Sequence, residues 1–339
     1  MVTIAEIAQN LGLSTATVSN ALTGKGRISE ARRSEIVEAA RQMGYDFSRL
    51  RAVMPNQKNI CVIDEQIGVT FCDRIVQGIC SAAEDAGLHV TIINLNILTA
   101  TNWTFNNPSP ELLRRYMHDV SSRIDTSYMG VIYVSQYPRD MTDQLPRLSM
   151  PLICTYAYTT DGIPCINYDD QQGAFLATSH LSSLGRRRLA MISGAVDSIP
   201  MTKRFAGYQR ALVHAGLPFR PEYVALGNWN ENGGYYAMKQ LLALPDRPDG
   251  VFCQSDYLAI GAMRAAHEAG LRVPEDIAIV GFDDIDAAIM VDPRLTTIAP
   301  PHVEIGQEAV KKLLRVIENK DDGNNNVKLK CWLLKRDSA

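Results

Sequence analysis

Apolar residues recur at helical spacing at the start of the chain. They fall at i, i+3, i+4 and i+7, as in an amphipathic helix, at Ile4, Ile7, Ala8 and Leu11. Thr3 and Glu6 have the T-x-x-E spacing of a capping box. Gly12 follows the last apolar residue and is placed to end the helix. The pattern predicts a short helix bounded by Thr3 and Gly12.

Two further helices are predicted directly afterwards. Ser14 can cap a helix over 15–22, whose buried face is formed by Ala21 and Leu22 together with Ala16 or Val18. About three residues separate it from the first helix, which is helix-turn-helix spacing. Ser29 can cap a third helix that ends at Gly44, with inward positions at Ile36, Val37, Ala40 and Met43.

The second helix carries the candidate DNA contacts. In a helix-turn-helix this helix enters the major groove, and its N-terminal residues meet base edges. The residues there are small or polar: Thr15, Ala16, Thr17, Ser19 and Asn20. Asn20 can pair with adenine and Ala16 can touch a thymine methyl, while Thr3, Ser14 and Thr17 can hold phosphates. From spacing alone, a three-helix protein-binding domain remains the alternative.

Beyond residue 58, short apolar runs alternate with amphipathic stretches. The strand-like runs are 60–63, 90–93, 131–134, 189–192, 251–253 and 277–280. The helical stretches include 73–86, 171–184, 203–215, 232–243 and 256–269. This alternation is typical of βαβ units and predicts an α/β body with parallel sheets. In such folds ligands bind at the carboxyl ends of the strands.

Charge is distributed unevenly along the chain. The whole chain has a net charge of −3, whereas residues 1–58 carry eight Lys/Arg against five Asp/Glu. A basic head on an acidic body is expected of a DNA-binding head, because phosphate contacts need cations. An ordinary solvated surface gives the same count.

Several other classes of protein are not favoured. No apolar stretch of about 18 residues predicts a membrane span, and the N-terminus lacks the features of a signal peptide, so we expect a cytoplasmic protein. Seven cysteines without a C-x-x-C pair indicate neither a disulfide framework nor a zinc site. Phosphate-loop, nucleophile-elbow and H-E-x-x-H motifs are missing. We therefore expect no catalytic centre, no cofactor and no metal.

A resemblance to a known family adds to these patterns. Residues 2–8 read VTIAEIA, residues 12–22 read GLSTATVSNAL and residues 43–45 read MGY. These segments resemble the head of the lactose-repressor (LacI/GalR) family, which typically reads T-I-x-D-V-A, then G-V-S-x-x-T-V-S-x-x-L-N, and ends its third helix with L-G-Y. The resemblance implies that residues 1–46 form a helix-turn-helix head that binds DNA.

The hinge over 47–58 departs from the family pattern. The family continues P-N-x-x-A-R-x-L, a short helix that places a leucine in the minor groove. Residues 47–55 read FSRLRAVMP instead, with Met54 in place of the leucine. Methionine is an acceptable apolar wedge, and Pro55 can end a hinge helix. A plain linker remains the alternative.

The resemblance also covers the body, residues 59–339. The motifs that are similar to those of the family are LGRRRLA at 184–190, RFAGY at 204–208, GFDD at 281–284 and LTTI at 295–298. They imply a periplasmic-binding-protein-like body of two Rossmann-like lobes joined by three crossovers. Lobe 1 is expected over about 59–160 and 291–321, and lobe 2 over about 161–290 and 322–339. A homodimer that binds a pseudo-palindromic operator is also implied.

The effector cleft of the family maps onto individual positions. These are Phe71, Asp73, Tyr156, Arg204, Trp229, Ser255 and Asp283. Arg204 matches the arginine that clamps the ligand, and Trp229 lies where some members stack an aromatic on a sugar ring. Sugar hydroxyls need mixed donors and acceptors beside an aromatic face, and these residue types supply both.

Each of these positions has a structural alternative. Phe71 and Trp229 can be core aromatics, Arg204 can form a surface ion pair, and Asp283 can cap a turn. Asp256 is expected to be the N-cap of a helix over 257–269 rather than a ligand contact.

Taken together, the sequence predicts a transcription regulator of the repressor type. Its operator affinity is expected to be controlled by a small-molecule effector, for which a sugar is the first expectation. A nucleoside or another small metabolite is the alternative effector. A solute-binding protein without a DNA role is the alternative class of protein.

Overall fold

The structure, a computed structural model, describes residues 2–22, 28–45, 58–68, 70–97, 110–124, 127–146 and 148–339. The chain divides into two compact units. Unit 1 comprises Met1–Ile166 and Val303–Asn326, and unit 2 comprises Asn167–His302 and Val327–Ala339. Across the described parts of the chain, no helix combines the length and apolarity needed to cross a membrane.

The head consists of three helices, α1 (Ile4–Leu11), α2 (Thr15–Leu22) and α3 (Glu30–Gln42). The predicted capping box is formed in both directions, because Thr3 accepts from the backbone of Glu6 and the Glu6 carboxylate accepts from Thr3 N at 2.7 Å. Gly12 ends α1 at a φ of 63°, in the left-handed region that glycine adopts readily. The three helices share one core, formed by Ile7, Ala8, Val18, Ala21, Leu22, Ile36, Ala40 and Tyr45.

One six-stranded sheet lies mostly in unit 1, and its strands β5 and β11 continue into unit 2. Elements are numbered along the chain. Its strands are β1 (Asn59–Asp64), β2 (His89–Asn94), β3 (Gly130–Val134), β4 (Leu152–Thr155), β5 (Cys165–Tyr168) and β11 (Asn326–Leu329). Their order is β11-β5-β4-β3-β1-β2, and the pairs β1–β2, β1–β3, β3–β4 and β4–β5 are parallel. The helices of this part are α4 (Thr70–Asp85), α5 (Pro110–Arg123) and α10 (His302–Ile317). The register pairs Asp64 with Val134, so β1 and β3 end at the same edge.

Unit 2 contains a second six-stranded sheet. Its strands are β6 (Leu189–Ser193), β7 (Val224–Leu226), β8 (Gly250–Cys253), β9 (Ala278–Phe282), β10 (Thr296–Ala299) and β12 (Trp332–Leu334). Their order is β12-β10-β9-β8-β6-β7, with only β12 antiparallel to its neighbour among the pairs of the described residues. The helices are α6 (Asp170–Ser183), α7 (Ile199–His214), α8 (Glu231–Leu242) and α9 (Asp256–Glu268).

The predicted apolar runs and amphipathic stretches correspond to strands and helices of these two sheets. The sequence did not single out the strands β4, β5, β7, β10, β11 and β12. Each of these has only three or four residues, too few for a clear period. One lobe boundary also differs from expectation. The sequence predicted that lobe 1 resumes at about residue 291. In the structure, β10 pairs with β9 in parallel, with Thr296 opposite Val280. The segment before residue 303 therefore belongs to unit 2.

Candidate functional site

The expected DNA-contacting residues lie on the outer face of α2. Thr15, Ala16 and Asn20 are exposed, and Thr17 and Ser19 are half-buried. The inward face is formed by Val18, Ala21 and Leu22, each with no exposed surface. This resolves the choice between Ala16 and Val18 in favour of Val18, since Ala16 points to solvent.

The start of α2 is organised by two hydroxyls. Ser14 Oγ accepts from Thr17 N at 3.1 Å and lies 2.8 Å from Thr17 Oγ1. Ser14 therefore caps α2 as predicted, and both hydroxyls lie at the helix N-terminus, where phosphate oxygens are favoured. Thr3 is exposed at the N-terminus of α1. Met54, the expected minor-groove wedge, lies outside the described residues.

Arg204 is the centre of a buried polar cluster in unit 2. It lies in the second turn of α7 and is 3% exposed. Its Nε donates to Asp170 Oδ1 at 2.8 Å, one terminal nitrogen donates to the carbonyl oxygen of Gln254, and the other donates to Tyr168 Oη at 2.8 Å. That last nitrogen also lies 3.4 Å from Asp283 Oδ1. The alternative of a surface ion pair is therefore wrong, because the ion pair of Arg204 and Asp170 is buried.

The guanidinium of Arg204 is held in place by the protein. The resemblance implies that this arginine clamps the ligand, and in the structure each of its nitrogens contacts an oxygen of the protein. The guanidinium lies over the ring of Phe282, with 3.7 Å from Cζ to the ring centroid. Stacking, together with hydrogen bonds from all three nitrogens, fixes an arginine in one orientation.

Close packing of two helices places Arg204 in this cluster. Gly207 lies one turn further along α7, where α6 approaches. A Cβ at this position would lie 2.3 Å from the carbonyl oxygen of Gln171, so only glycine permits the approach. Tyr208 anchors the same turn by donating to the carbonyl of Leu189 at 2.7 Å. The RFAGY motif thus brings α7 against α6, whose first residue is Asp170.

Asp283 is held in an uncommon backbone conformation directly after β9. Its φ is 111°, a value that residues with a Cβ rarely adopt. Its backbone N donates to the carbonyl of Ile298 at 2.8 Å, and the next residue, Asp284, is bound by Arg336 at 2.5 Å. Burial raises the pKa of Asp283 to about 7, although Arg204 opposes the shift. Burial also raises the pKa of Asp170, again against Arg204.

Trp229 supplies the expected aromatic surface beside this cluster. Its ring centroid lies 5.6 Å from Arg204 Cζ. The indole packs on Gly194, directly after β6, where a Cβ would lie 2.0 Å from Trp229 Cε2. Gln254 fixes the Gly194 loop by accepting from Gly194 N at 3.1 Å. Trp229 is half-buried rather than fully buried, so the interpretation as a plain core aromatic does not describe it.

Ser255 takes the capping role that the sequence predicted for Asp256. Ser255 is the N-cap of α9, because its side chain accepts from Leu258 N at 3.2 Å. Asp256, expected as the cap, is the first helical residue and is completely buried. Its carboxylate accepts from Thr297 Oγ1 at 2.5 Å and from Ile285 N at 2.9 Å. Burial raises its pKa well above the usual value. The prediction that Asp256 caps the helix is wrong, because its carboxylate is used in tertiary contacts that hold the turn carrying Asp283.

The candidate residues of unit 1 follow two different strands, Phe71 and Asp73 after β1 and Tyr156 after β4. Phe71 is half-buried in the first turn of α4, and Asp73 is exposed and accepts from Gly68 N at 3.0 Å. Tyr156 follows β4 with a φ of 58° and is 4% exposed. Asp64, the last residue of β1, is completely buried, and burial raises its pKa to about 6.

Sequence reasoning missed a second buried ion pair at the same edge. Glu65 follows β1 and binds Arg139 through both of its oxygens. Tyr133 and the backbone N of Gln136, at 2.9 Å, also donate to Glu65. The sequence could have indicated Glu65, because an acid directly after a predicted strand is a candidate site residue. It could not have indicated Arg139, because this residue lies in a loop and meets Glu65 only in the folded protein.

Comparison with known proteins places the chain among regulators. Residues 3–47 match the family described as "Bacterial regulatory proteins, lacI family", and residues 178–339 match the family described as "Periplasmic binding protein-like domain". The chain is 34% identical over 341 residues to the HTH-type transcriptional repressor CytR of Escherichia coli (strain K12), covering 99% of this chain and 96% of the relative.

Solved structures agree over the whole chain. The transcriptional regulator CelR in complex with cellobiose has a TM-score of 0.68 and 25% identity, with 100% of both chains covered. The lac repressor dimer bound to operator and the anti-inducer ONPF has a TM-score of 0.66 and 25% identity, covering 99% of this chain and 98% of that one. The head, the two sheets and these matches together show that the chain belongs to the lacI family of DNA-binding bacterial transcription regulators.

Proposed function

We propose that this regulator is a repressor that binds a pseudo-palindromic operator as a homodimer through residues 1–46. Its operator affinity is controlled by a small-molecule effector, a sugar, bound at the Arg204 cluster of unit 2. One observation carries the effector assignment. Asp283 and Trp229 present a carboxylate and an aromatic face beside Arg204, close to the strand ends where α/β proteins bind ligands.

The head supports the DNA-binding part of the proposal. The outer face of α2 carries no large side chain among its described residues, so the helix can approach base edges closely. Asn20 is exposed on this face, and its amide can donate to and accept from one adenine. The two hydroxyls at the start of α2 favour phosphate contacts that set the register of the helix on DNA.

The residue types of the cluster support a sugar. A sugar ring offers C–H groups on one face and hydroxyls at its edge, which suit an indole and a carboxylate respectively. Among the similar structures, that of CelR contains cellobiose. Asp283 lies on a turn held by Asp256 and Arg336, so the carboxylate is presented in a fixed position.

The experiment is retardation of DNA from the upstream region of its own gene, with and without a panel of sugars. A shifted band that changes with one sugar supports the proposal. Absence of any specific DNA complex contradicts the repressor assignment. A specific complex that no small molecule changes contradicts the effector assignment alone.

Substitution of the recognition helix gives a sharper test of the head. We expect Asn20→Ala to relax sequence preference at one base pair in each half-site, at a cost of about 1–3 kcal/mol for each bidentate contact. Selection from a randomised operator library measures the preference. Gln42→Ala, an exposed residue at the end of α3, is the matched control. An unchanged motif for Asn20→Ala removes this residue from the base contacts.

A further inference from the structure

Two cysteines of unit 1 lie opposite each other on neighbouring parallel strands. The register of β4 and β5 pairs Cys154 with Cys165, and a hydrogen bond joins their side chains. We infer that these two cysteines form a redox-active dithiol, which a hydroperoxide oxidises to a reversible disulfide. Neither residue belongs to the Arg204 cluster or to the DNA-binding head, so the dithiol is independent of the proposed function.

The spacing of the two strands suits a disulfide. Side chains of directly paired residues in neighbouring strands project from the same face of the sheet. Neighbouring strands lie about 4.7–4.9 Å apart, and a disulfide joins Cα atoms that are about 4.4–6.8 Å apart. Both residues lie in one buried apolar cluster, with Cys154 0% and Cys165 1% exposed. The two sulfur atoms can therefore be joined while β4 and β5 stay paired.

The surroundings of Cys165 favour its thiolate, the form of a cysteine that reacts as a nucleophile. The hydrogen bond from Cys154 is the largest influence that lowers the pKa of Cys165, and the hydroxyl and backbone N–H of Thr159 act in the same direction. Thr159 Oγ1 lies 3.7 Å from Cys165 Sγ. Burial and Asp161 oppose the shift, but the pKa of Cys165 stays below its usual value. In the protonated state the thiol donates to the carbonyl of Ile163 at 3.5 Å.

Cys154 has the complementary property. Burial raises its pKa well above the usual value, and its hydrogen bond to Cys165 adds to the shift. Cys154 therefore keeps its proton, and Cys165 is the first of the pair to lose one. A dithiol with one activated thiol and a second thiol in contact with it is suited to close a disulfide once the first thiol has reacted.

Cys165 lies one side chain beneath the surface. Its contacts Thr159 and Ile163 are half-buried, and the segment between them, 160–162, is exposed. A cover of this thickness admits a small oxidant more readily than a bulky one. Hydrogen peroxide is small enough to reach the sulfur in the folded unit, whereas a large disulfide such as oxidised glutathione is not.

Two steps lead from the dithiol to the disulfide. The Cys165 thiolate attacks one oxygen of hydrogen peroxide and the O–O bond breaks, which leaves a sulfenic acid on Cys165 and a hydroxide that takes up the proton lost by the thiol. The sulfur of Cys154 then attacks the sulfenic sulfur, and the S–O bond breaks as the leaving hydroxide takes the proton of Cys154. The two sulfurs together lose two electrons, and one peroxide is reduced to two waters.

Mass spectrometry of the full-length protein tests the dithiol directly. The protein is exposed to hydrogen peroxide well below its melting temperature, unfolded in N-ethylmaleimide and digested with trypsin. Residues 148–186 form one tryptic peptide in which Cys154 and Cys165 are the only cysteines. We expect this peptide to lose both alkylation sites together with two hydrogens. Treatment with dithiothreitol before alkylation should restore both sites.

Cys61 is the matched control for this measurement. It belongs to the same apolar cluster, and burial raises its pKa to about 11. Its register partners on the two sides are Thr91 and Val131, so the residues opposite it offer no second thiol. We expect Cys61 to remain open to alkylation under the conditions that oxidise the pair. If Cys154 and Cys165 are no more oxidised than Cys61, or if either forms a disulfide with another cysteine, the inference is wrong.

Single substitutions separate the roles of the two thiols. Cys154→Ser keeps a hydrogen-bond donor beside Cys165 but removes the second sulfur, so peroxide should leave a sulfenic acid on Cys165 that dimedone traps. In Cys165→Ser, we expect Cys154 to stay reduced because its thiol keeps its proton. Dimedone labelling of Cys154 as fast as that of Cys165 would contradict the assigned roles. A melting curve shows whether each variant is folded, and if one is not, the wild-type comparison with Cys61 decides.

Discussion

The two units each bury an arginine–carboxylate pair near the carboxyl ends of their strands, but the two pairs differ in what they leave open. In unit 1, each oxygen of Glu65 contacts Arg139 and at least one further donor, from Tyr133 or the backbone of Gln136. In unit 2, Arg204 is fully engaged, but Asp283 keeps one oxygen without a donor among the described residues.

The difference indicates that a buried arginine–carboxylate pair can serve two purposes, to fix local structure or to present an acceptor. A closed pair in which every oxygen has a donor contributes a fixed local structure, and a ligand has nothing to add to it. In the proposed function, an open pair keeps an acceptor for a ligand, while the arginine keeps that acceptor in place. The predictions that follow test this contrast, from the largest expected effect to the smallest.

We expect the closed pair of Glu65 and Arg139 to contribute more to the free energy of unfolding than an exposed ion pair does. We expect Arg139→Met to lower the free energy of unfolding by about 3–5 kcal/mol, because Glu65 would remain buried without its counter-ion. Urea unfolding of the full chain measures the loss. The double variant Glu65→Met with Arg139→Met should recover most of it, since neither charge remains. A loss for Arg139→Met that is no greater than for Arg294→Met, at an exposed pair, would contradict the closed-pair interpretation.

We expect Asp283 of the open pair to make the free energy of unfolding depend on pH. Burial raises the pKa of Asp283 to about 7 from a usual value of 3.8. The folded state therefore binds a proton that the unfolded state has lost, so stability falls as the pH rises from about 4 to about 7. On going from about pH 5 to pH 8, we expect the wild type to lose about 2 kcal/mol more than Asp283→Asn.

Urea unfolding at the two pH values provides the measurement. Asp64, whose pKa burial raises to about 6, acts in the same direction in both proteins and cancels in the difference. Parallel pH profiles for the wild type and Asp283→Asn would show that Asp283 does not titrate in this range.

The smallest effect separates helix capping from ligand contact. Ser255→Ala should cost about 1 kcal/mol, because Ser255 caps α9 by accepting from Leu258 N. Ser198, the N-cap residue of α7, makes no side-chain capping bond, so Ser198→Ala should leave the unfolding midpoint nearly unchanged. Effector affinity should be the same in both variants. A large loss of affinity in Ser255→Ala alone would restore Ser255 to the ligand site.

Sequence patterns predicted those helices and strands that are long or that begin at a recognisable capping residue. The capping box at Thr3 and Glu6 is local, so it could be read directly from the chain. The helices α6 to α9 have long amphipathic repeats and lie within a few residues of their predicted positions. The short strands lacked a period, and β10 could be assigned to unit 2 only from its pairing with β9.

The sequence predicted which residues belong to the candidate site, but it did not predict which groups each of them contacts. Arg204, Trp229 and Asp283 were singled out and lie together in unit 2. Asp170, Tyr168 and Gln254, which bind Arg204, were not singled out, because they come from separate segments that converge only in the folded unit. Asp170 lies two residues after β5 and offered a signal similar to that of Asp283.

The sequence by itself determined the family, the helix-turn-helix head and the α/β body, because helix period, capping residues and strand hydrophobicity act over a few neighbouring residues. Only the tertiary structure decided the partners of each buried charge. Arg204 turned out to hold Asp170 and Asp283, and Asp256 turned out to hold the turn at Ile285. A buried ionisable side chain must find its counter-charge or donor within hydrogen-bond distance, and which residue lies at that distance depends on how distant segments pack.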